Sequence, residues 1–239
     1  MQEQPIQYHS SHLSQSPQKI PAAIKFSFTI TYILLLTTAT ITFIEAIRTK
    51  NPTVRHVLNL ETCISVVAGY FYSIFTIKIA DIEKTNTQIN WAELMETRYI
   101  DWIITTPLML IALCIVLSTE LGLDVRLPII AIIIVLNYAM LYAGYLGETN
   151  RIDKVAGIIL GFLSFFAMFG IIYWKYVAPK FHLANRVLFY FYLFVWSLYG
   201  VVYFLDEETR NIAMNILDLF AKCLIGLGLW VYYVHIIRL

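Results

Sequence analysis

The stretch NIAMNILDLFAKCLIGLGLWVYYVHII, residues 211–237, decides the fold, because it is long and apolar enough to cross a bilayer yet carries a lysine near its middle. A lysine at the centre of such a helix costs roughly 2.5–3.5 kcal/mol, so it usually faces a partner or a bound group. Asp218 precedes Lys222 by four residues, one turn away on the same face. A buried amine beside a carboxylate is typical of a Schiff base with its counterion, and also of a structural pair that joins helices.

The rest of the chain has the composition of an integral membrane protein. Of its 239 residues, 59% are hydrophobic and only 14% are charged, and the mean hydropathy is +0.69. The net charge of +1 and the lack of a basic tract argue against a nucleic-acid partner. Three cysteines lie in apolar segments without metal-ligand spacing, so we expect neither a metal site nor disulfides: Cys63, Cys114 and Cys223.

Seven apolar segments joined by short loops predict an all-α, multi-pass membrane protein that folds as a seven-transmembrane helix bundle. The expected spans are Phe26–Ile47, Val57–Ile79, Met95–Leu117, Leu127–Leu146, Ile152–Val177, Arg186–Leu205 and Ile212–Ile237. Residues 26–239 would form this single domain. Residues 1–25 are polar and do not resemble a cleaved signal peptide, so we expect an extracellular tail with a small interfacial helix near Tyr8–Leu13.

The charges of the loops predict the orientation of the bundle. The loops after the first and fifth segments carry the densest basic clusters: Arg48, Lys50, Arg55, Lys175, Lys180 and Arg186. Because Lys and Arg concentrate on the cytoplasmic side, we expect the N-terminus outside and the C-terminus in the cytoplasm. The third and seventh segments then both enter from outside, which allows Asp101 and Asp218 to approach Lys222 from one side.

A second charged motif lies in ETRYIDWIITTPLML, residues 96–110. Arg98, Asp101 and Thr105 are spaced by three and four residues, so they share one helical face. A buried carboxylate needs hydrogen bonds and a positive charge, which Thr105 and either Arg98 or Lys222 can supply. A structural polar cluster would explain Arg98 and Asp101 but not the lysine opposite. A further stripe on this helix suits a flat ligand: Trp102 and Thr106.

These two motifs carry a family resemblance. RYxDWxxTTPL, residues 98–108, resembles the third-helix signature of the microbial (type 1) rhodopsins, and DxxAK, residues 218–222, resembles their seventh-helix signature. The similarity covers all seven segments and excludes only residues 1–25. LLLTTATITFIEAIRT (34–49) and RHVLNLETCISVVAGYFY (55–72) look most like group I of the viral rhodopsins of large algal viruses, which contains light-gated cation channels.

The resemblance implies a chromophore, all-trans retinal, bound covalently to Lys222 as a Schiff base. It makes Asp101 the main counterion and proton acceptor and Asp218 the second counterion, while Arg98 closes the outer side and Thr105 completes the site. The pocket residues that it implies are Trp102, Thr106, Asn137, Met140, Gly144, Ser164, Met168, Trp196, Tyr199, Gly200, Tyr203 and Ala221. Three positions depart from the family pattern, with Gly161 and Tyr203 where Trp is common and Gly200 in place of Pro.

The nature of the transported ion rests on fewer residues. Where many proton pumps of this family carry an acid, in the inner half of the third helix, this chain has Ala112. Three polar residues could line an ion path: Glu45, Glu61 and Asn215. The two glutamates could equally pair with arginines at the interface.

We therefore expect a light-gated cation channel rather than an enzyme, with the lipid bilayer and permeant cations or protons as its partners. The alternative is a light-driven outward proton pump. A sensory rhodopsin is a weaker alternative, because the sequence contains no output domain. The many aromatic side chains would suit either a monomer or a homo-oligomer.

Overall fold

The computed structural model describes residues 20–119 and 121–236, and within them it is a bundle of helices. The first six helices are α1 Ala22–Arg48, α2 Pro52–Thr85, α3 Trp91–Thr119, α4 Leu127–Glu148, α5 Lys154–Tyr176 and α6 Leu183–Val202. The seventh helix is a continuous rod of four parts, α7 Glu207–Asp218, π1 Leu219–Leu224, α8 Ile225–Trp230 and π2 Val231–Ile236. Seven helices are long and apolar enough to span a membrane within the described part of the chain. The predicted seven-helix fold is confirmed, and the orientation of its termini stays a prediction.

Most predicted segment ends differ from the observed helix ends by a few residues, and two of these differences have a visible local cause. Helix α1 begins at Ala22, inside the segment expected to be a tail, because Pro21 has a φ of −57° and leads directly into a helix. Helix α6 ends at Val202 rather than at Leu205, since its last turn tightens into bonds three residues apart, such as Leu205 N–H to Val202 O. The interfacial helix expected near Tyr8–Leu13 lies outside the described residues.

Helix α3 and the seventh helix form the interior of the bundle. In their most apolar windows, 67% of the residues of α3 and 56% of those of the seventh helix are buried, against 28% for α4 and for α5. Arg98 and Asp101 on α3, and Asp218 and Lys222 on the seventh helix, are therefore enclosed by protein and kept away from lipid. This position requires that they pair with one another or with a bound group.

Helices α4 and α5 are in backbone contact through glycines. A Cβ added to Gly157 would lie 3.0 Å from the carbonyl oxygen of Ala143 and 3.1 Å from the Cα of Gly147. Small residues allow such a close approach between membrane helices. As a result α5 packs extensively on α4 and only sparsely on α6.

Candidate functional site

Lys222 lies in the interior of the bundle with 2% of its surface exposed. Its Nζ donates a hydrogen bond to Oδ2 of Asp101 on α3, over 2.7 Å, and lies 3.6 Å from Oδ1 of Asp218. Both carboxylates are fully buried. Two buried acids thus share one buried cation, and removal of the cation would leave Asp101 without its contacting positive charge.

The backbone around Lys222 is a π-helical turn, π1, which follows directly after Asp218. Single π turns inside α-helices are rare and frequently lie at functional sites. Because Asp218 and Lys222 flank the start of this turn, the widened backbone determines how the lysine approaches both acids. Apolar periodicity does not distinguish a π turn from an α-helical one, so the sequence analysis missed it.

Asp218 accepts several hydrogen bonds besides its ion pair. The hydroxyl of Tyr199 donates to Oδ1 over 2.6 Å, and that of Tyr72 donates to Oδ2 over 2.7 Å. Arg98 lies 3.4 Å from the same Oδ2, and its other terminal nitrogen donates to Asn215 over 2.8 Å. Arg98 thus forms its ion pair with Asp218, whereas the helical spacing had suggested Asp101 as its partner.

Asp101 has fewer partners than Asp218. Its Oδ1 has no hydrogen-bond partner among the described residues. Thr105 was expected to donate to this carboxylate, and that expectation is wrong, because its hydroxyl donates to the backbone carbonyl of Asp101 over 2.9 Å. Threonines within helices commonly bond to the carbonyl four residues earlier, which makes the hydroxyl unavailable to the side chain.

The sequence analysis missed Tyr72 and Asn211, which both contact Arg98. The hydroxyl of Tyr72 accepts from Arg98 over 3.2 Å, and Oδ1 of Asn211 does so over 3.3 Å. A signal for Tyr72 was present, since Glu61, Ser65 and Tyr72 follow one another at spacings of four and seven and thus share one face of α2. Asn211 was marked in the same way, since Asn211, Asn215, Asp218 and Lys222 are spaced by four, three and four residues and share one face of the seventh helix.

A cavity of about 140 Å³ extends from Lys222 between α3, α4, α5, α6 and the seventh helix. Lys222 and Asp218 are at its charged end, and almost all of the remaining wall is apolar or aromatic. Ten of the predicted pocket residues border it: Trp102, Thr106, Met140, Gly144, Trp196, Tyr199, Gly200, Tyr203, Ala221 and Lys222. The wall also contains residues that were not predicted, Met109, Leu141, Phe162, Phe165 and Met214 among them. An elongated apolar ligand with one aldehyde-derived end at the lysine fits this distribution of groups.

Three predicted pocket residues do not border the cavity. Asn137 lies behind the wall, where its amide donates to the hydroxyl of Thr106 over 2.8 Å. Met168 is fully buried in the hydrophobic core. Ser164 is half-buried next to Phe165, which occupies the wall at this level of α5.

The three predicted ion-path residues lie in different surroundings. Glu45 pairs with Arg48 over 2.9 Å at the end of α1, as the interfacial alternative anticipated. Glu61 is 1% exposed, and its Oε1 has no hydrogen-bond partner among the described residues. Asn215 is fully buried and connects Arg98 to α1, since its amide also donates to Ser27 over 2.9 Å.

The fold and this site define a retinal protein of the microbial rhodopsin class, and the chain belongs to that family. A family model described as bacteriorhodopsin-like protein matches residues 22–236, and members of the family bind retinal through a lysine. The chain is 43% identical to the crystal structure of viral rhodopsin OLPVRII, over 89% of this chain and 98% of the other, with a TM-score of 0.82. This similarity supports the resemblance to viral rhodopsins.

More distant relatives share the fold. The green-light absorbing proteorhodopsin of Gamma-proteobacterium EBAC31A08 is 26% identical over 148 residues, which are 56% of this chain and 59% of that relative's length. The proton pumping rhodopsin AR2 from the marine alga Acetabularia acetabulum is 21% identical over 88% of this chain and 94% of its own, with a TM-score of 0.70. At these identities the likeness concerns the architecture of the bundle.

Proposed function

We propose that this protein is a light-driven ion-conducting photoreceptor in which all-trans retinal is bound covalently to Lys222. The observation that carries the proposal is the contact of 2.7 Å between Nζ of Lys222 and Asp101, at the charged end of an otherwise apolar cavity. When bound, retinal supplies a protonated imine at this nitrogen and a light-driven isomerisation from all-trans to 13-cis. Trp102 and Trp196 border the cavity and would hold the polyene.

The residues of this chain would stabilise the positive charge at Nζ and then receive its proton. In the dark, Asp101 and Asp218 compensate the cation, and Arg98 balances the second carboxylate. Asp101 would accept the proton held at Nζ of Lys222 when light changes the direction of its N–H bond. Asp101 is the acceptor because its Oδ1 has no partner among the described residues, whereas both oxygens of Asp218 accept tyrosine hydroxyls.

Replacement of the lysine tests the attachment. Lys222→Ala protein incubated with retinal should lack the visible band that the unsubstituted protein acquires. Lys175→Ala is the matched control, because Lys175 is exposed on α5 and should leave the band unchanged. A normal band in Lys222→Ala protein would disprove the attachment.

The ion most consistent with the structure is a cation that moves along a polar track between α1, α2 and the seventh helix. We define the polar track by its fully buried members Thr31, Thr38, Thr42, Glu61, Ser65, Tyr72 and Asn215. Polar groups inside a membrane protein usually face a water-filled path or one another. The hydroxyl of Tyr72, a member of the track, donates a hydrogen bond to Asp218. The track is therefore connected to the photochemical site.

Glu61 is the acid of the polar track on the far side of Lys222 from Arg98. Its Oε2 would lie 3.2 Å from a Cβ placed on Gly226. Gly226 follows Lys222 by four residues, so the two positions are roughly 6 Å apart along the helix axis. Thr42 and Thr62 are joined by a hydrogen bond of 2.8 Å near this level. A buried carboxyl between three helices is suited to select cations and to close the path in the dark.

The second candidate function is a light-driven outward proton pump, which the same carboxyl favours. A pump needs a group that returns a proton to Lys222 after Asp101 has accepted one. Ala112 cannot do so, but Glu61 is buried and lies on the opposite side of the lysine from Arg98. Asp101 as acceptor and Glu61 as donor would then give the proton one direction of travel.

Photocurrent measured against voltage separates these functions. A current that reverses with the cation gradient supports the channel, a current of fixed sign supports the pump, and a bound chromophore without current supports a sensor. Glu61→Gln should change the selectivity or size of a channel current, or slow the photocycle of a pump, without loss of the visible band. Glu45→Gln is the matched control, since Glu45 lies at the end of α1 and pairs with Arg48.

A further inference from the structure

Helices α5 and α6 meet in the cavity wall where the ring of Phe162 on α5 faces Gly200 on α6. We call this part of the wall the α5–α6 seam. Because α5 is drawn onto α4 by Gly147 and Gly157, it makes few contacts with α6. The seam therefore depends on side chains for closure.

Phe162 is the side chain that closes the seam. A Cβ added to Gly200 would lie 2.5 Å from two ring carbons of Phe162, so the ring occupies the space that any larger residue on α6 would take. The ring also lines the cavity. On its other side it stacks on Phe166, with ring centroids 5.7 Å apart and planes inclined by 23°. Phe166 is 58% exposed on the surface that faces lipid, so one ring separates the cavity from the exposed face of α5.

Other parts of the cavity wall are less suited to the passage of an apolar molecule. At the charged end Arg98, Asp218 and Asn215 form a buried hydrogen-bonded cluster. The wall also includes Met109 and Phe165, which are almost fully buried in the core. Retinal partitions into bilayers because it is mostly hydrocarbon, and a lateral route would avoid both obstacles.

We propose that retinal enters the cavity from the bilayer through the α5–α6 seam, and that rotation of the Phe162 ring opens the route. This inference rests on the proposed function, in which retinal occupies this cavity. Gly200 is essential to this gate, because its lack of a side chain provides the space that the Phe162 ring occupies when the seam is closed. Phe162 is thus a gating residue for loading, with no part in the chemistry at Lys222.

The rate of loading tests the inference. Retinal-free protein in lipid vesicles is mixed with retinal, and two signals are followed: quenching of tryptophan fluorescence as retinal reaches Trp102 and Trp196, and growth of the visible band. Opening must break the Phe162–Phe166 ring pair, whose strength corresponds to roughly a two- to tenfold change in rate. Phe162→Ala should therefore accelerate both signals by that factor. Phe162→Leu keeps an apolar side chain of similar volume without a flat ring, so this variant should also take up retinal faster. It serves as a second test in case the alanine variant does not fold.

Phe194→Ala is the matched control, because Phe194 is 62% exposed on α6 and does not line the cavity. It should load at the rate of the unsubstituted protein. If both Phe162 variants fold and load no faster than Phe194→Ala, retinal enters elsewhere and the inference is overturned. If the unsubstituted protein acquires no band, the retinal proposal itself fails, so the two failures can be told apart.

Discussion

Asp101 and Asp218 are the same residue type at the same lysine, yet their surroundings differ. Asp218 accepts hydrogen bonds from two tyrosines and lies beside Arg98, so its negative charge is compensated even without Lys222. Among the residues that the structure describes, Asp101 has only the lysine as a charged partner in contact. The sequence could predict that two acids meet one amine, because spacing and helix order are enough for that. It could not predict which acid is better compensated, since the polar face of α2 that includes Tyr72 does not reveal which carboxylate the tyrosine hydroxyl reaches.

This asymmetry predicts the optical effect of Asp101→Asn. Loss of the nearest negative charge lowers the excitation energy of the protonated chromophore, so the visible band should move to the red. Acid titration of the unsubstituted protein should give the same shift when Asp101 takes up a proton, and the titration should disappear in Asp101→Asn. Asp81→Asn, an exposed acid on α2, is the control. An unchanged spectrum in Asp101→Asn would remove this residue from the counterion role.

The helices themselves were predictable from the sequence, because each is an apolar run of membrane-spanning length and the loops between them are short. Their internal irregularities were not. The π1 turn around Lys222 and the closeness of α4 and α5 depend on contacts between helices, to which apolar periodicity is insensitive. The position of Glu61 beside the turn that follows Lys222 likewise depends on packing, since Gly226 provides the space beside the carboxyl.

The start of the seventh helix gives a prediction at the level of one element. The backbone N–H of Thr209 donates to Oδ1 of Asp206 over 3.0 Å, which holds the pKa of that carboxyl below its ordinary value. The ionised cap therefore stabilises α7 above the unfolded pKa of about 3.9, and the stabilisation is lost as the pH falls through the lower folded value.

Asp206→Ala should consequently lower the temperature at which the chromophore band is lost at neutral pH. Asp206→Asn should retain the stability, because asparagine is an equally good N-cap. The difference between the unsubstituted protein and Asp206→Ala should shrink at strongly acidic pH. Equal melting temperatures for the alanine variant and the unsubstituted protein at neutral pH would show that this cap does not limit stability.

At the scale of the whole molecule, the bundle has two unlike sides around α3 and the seventh helix. Toward α4, α5 and α6 lies the aromatic cavity, while the polar track lies toward α1 and α2. Lys222 belongs to both sides, since it borders the cavity and reaches the track through Asp218 and Tyr72. In the proposed function, this division would place a bulky apolar ligand and an ion path next to each other without overlap. A change at Lys222 can therefore alter the polar track directly through hydrogen bonds.

The direction of transport depends on which end of this molecule faces the cytoplasm, and the loop charges predict the answer. The end that holds Arg98 and the start of α7 should face outward, with the basic loops after α1 and α5 inside. Single cysteines introduced at Thr87, between α2 and α3, and at Lys180, between α5 and α6, test this in intact cells. The background should carry Cys63→Ser, because Cys63 is exposed whereas Cys114 and Cys223 are buried. A membrane-impermeant thiol reagent should label Thr87→Cys before lysis and Lys180→Cys only after it. The reverse pattern would show that the bundle has the opposite orientation in the membrane. Proton transfer from Lys222 to Asp101 would then be directed toward the cytoplasm.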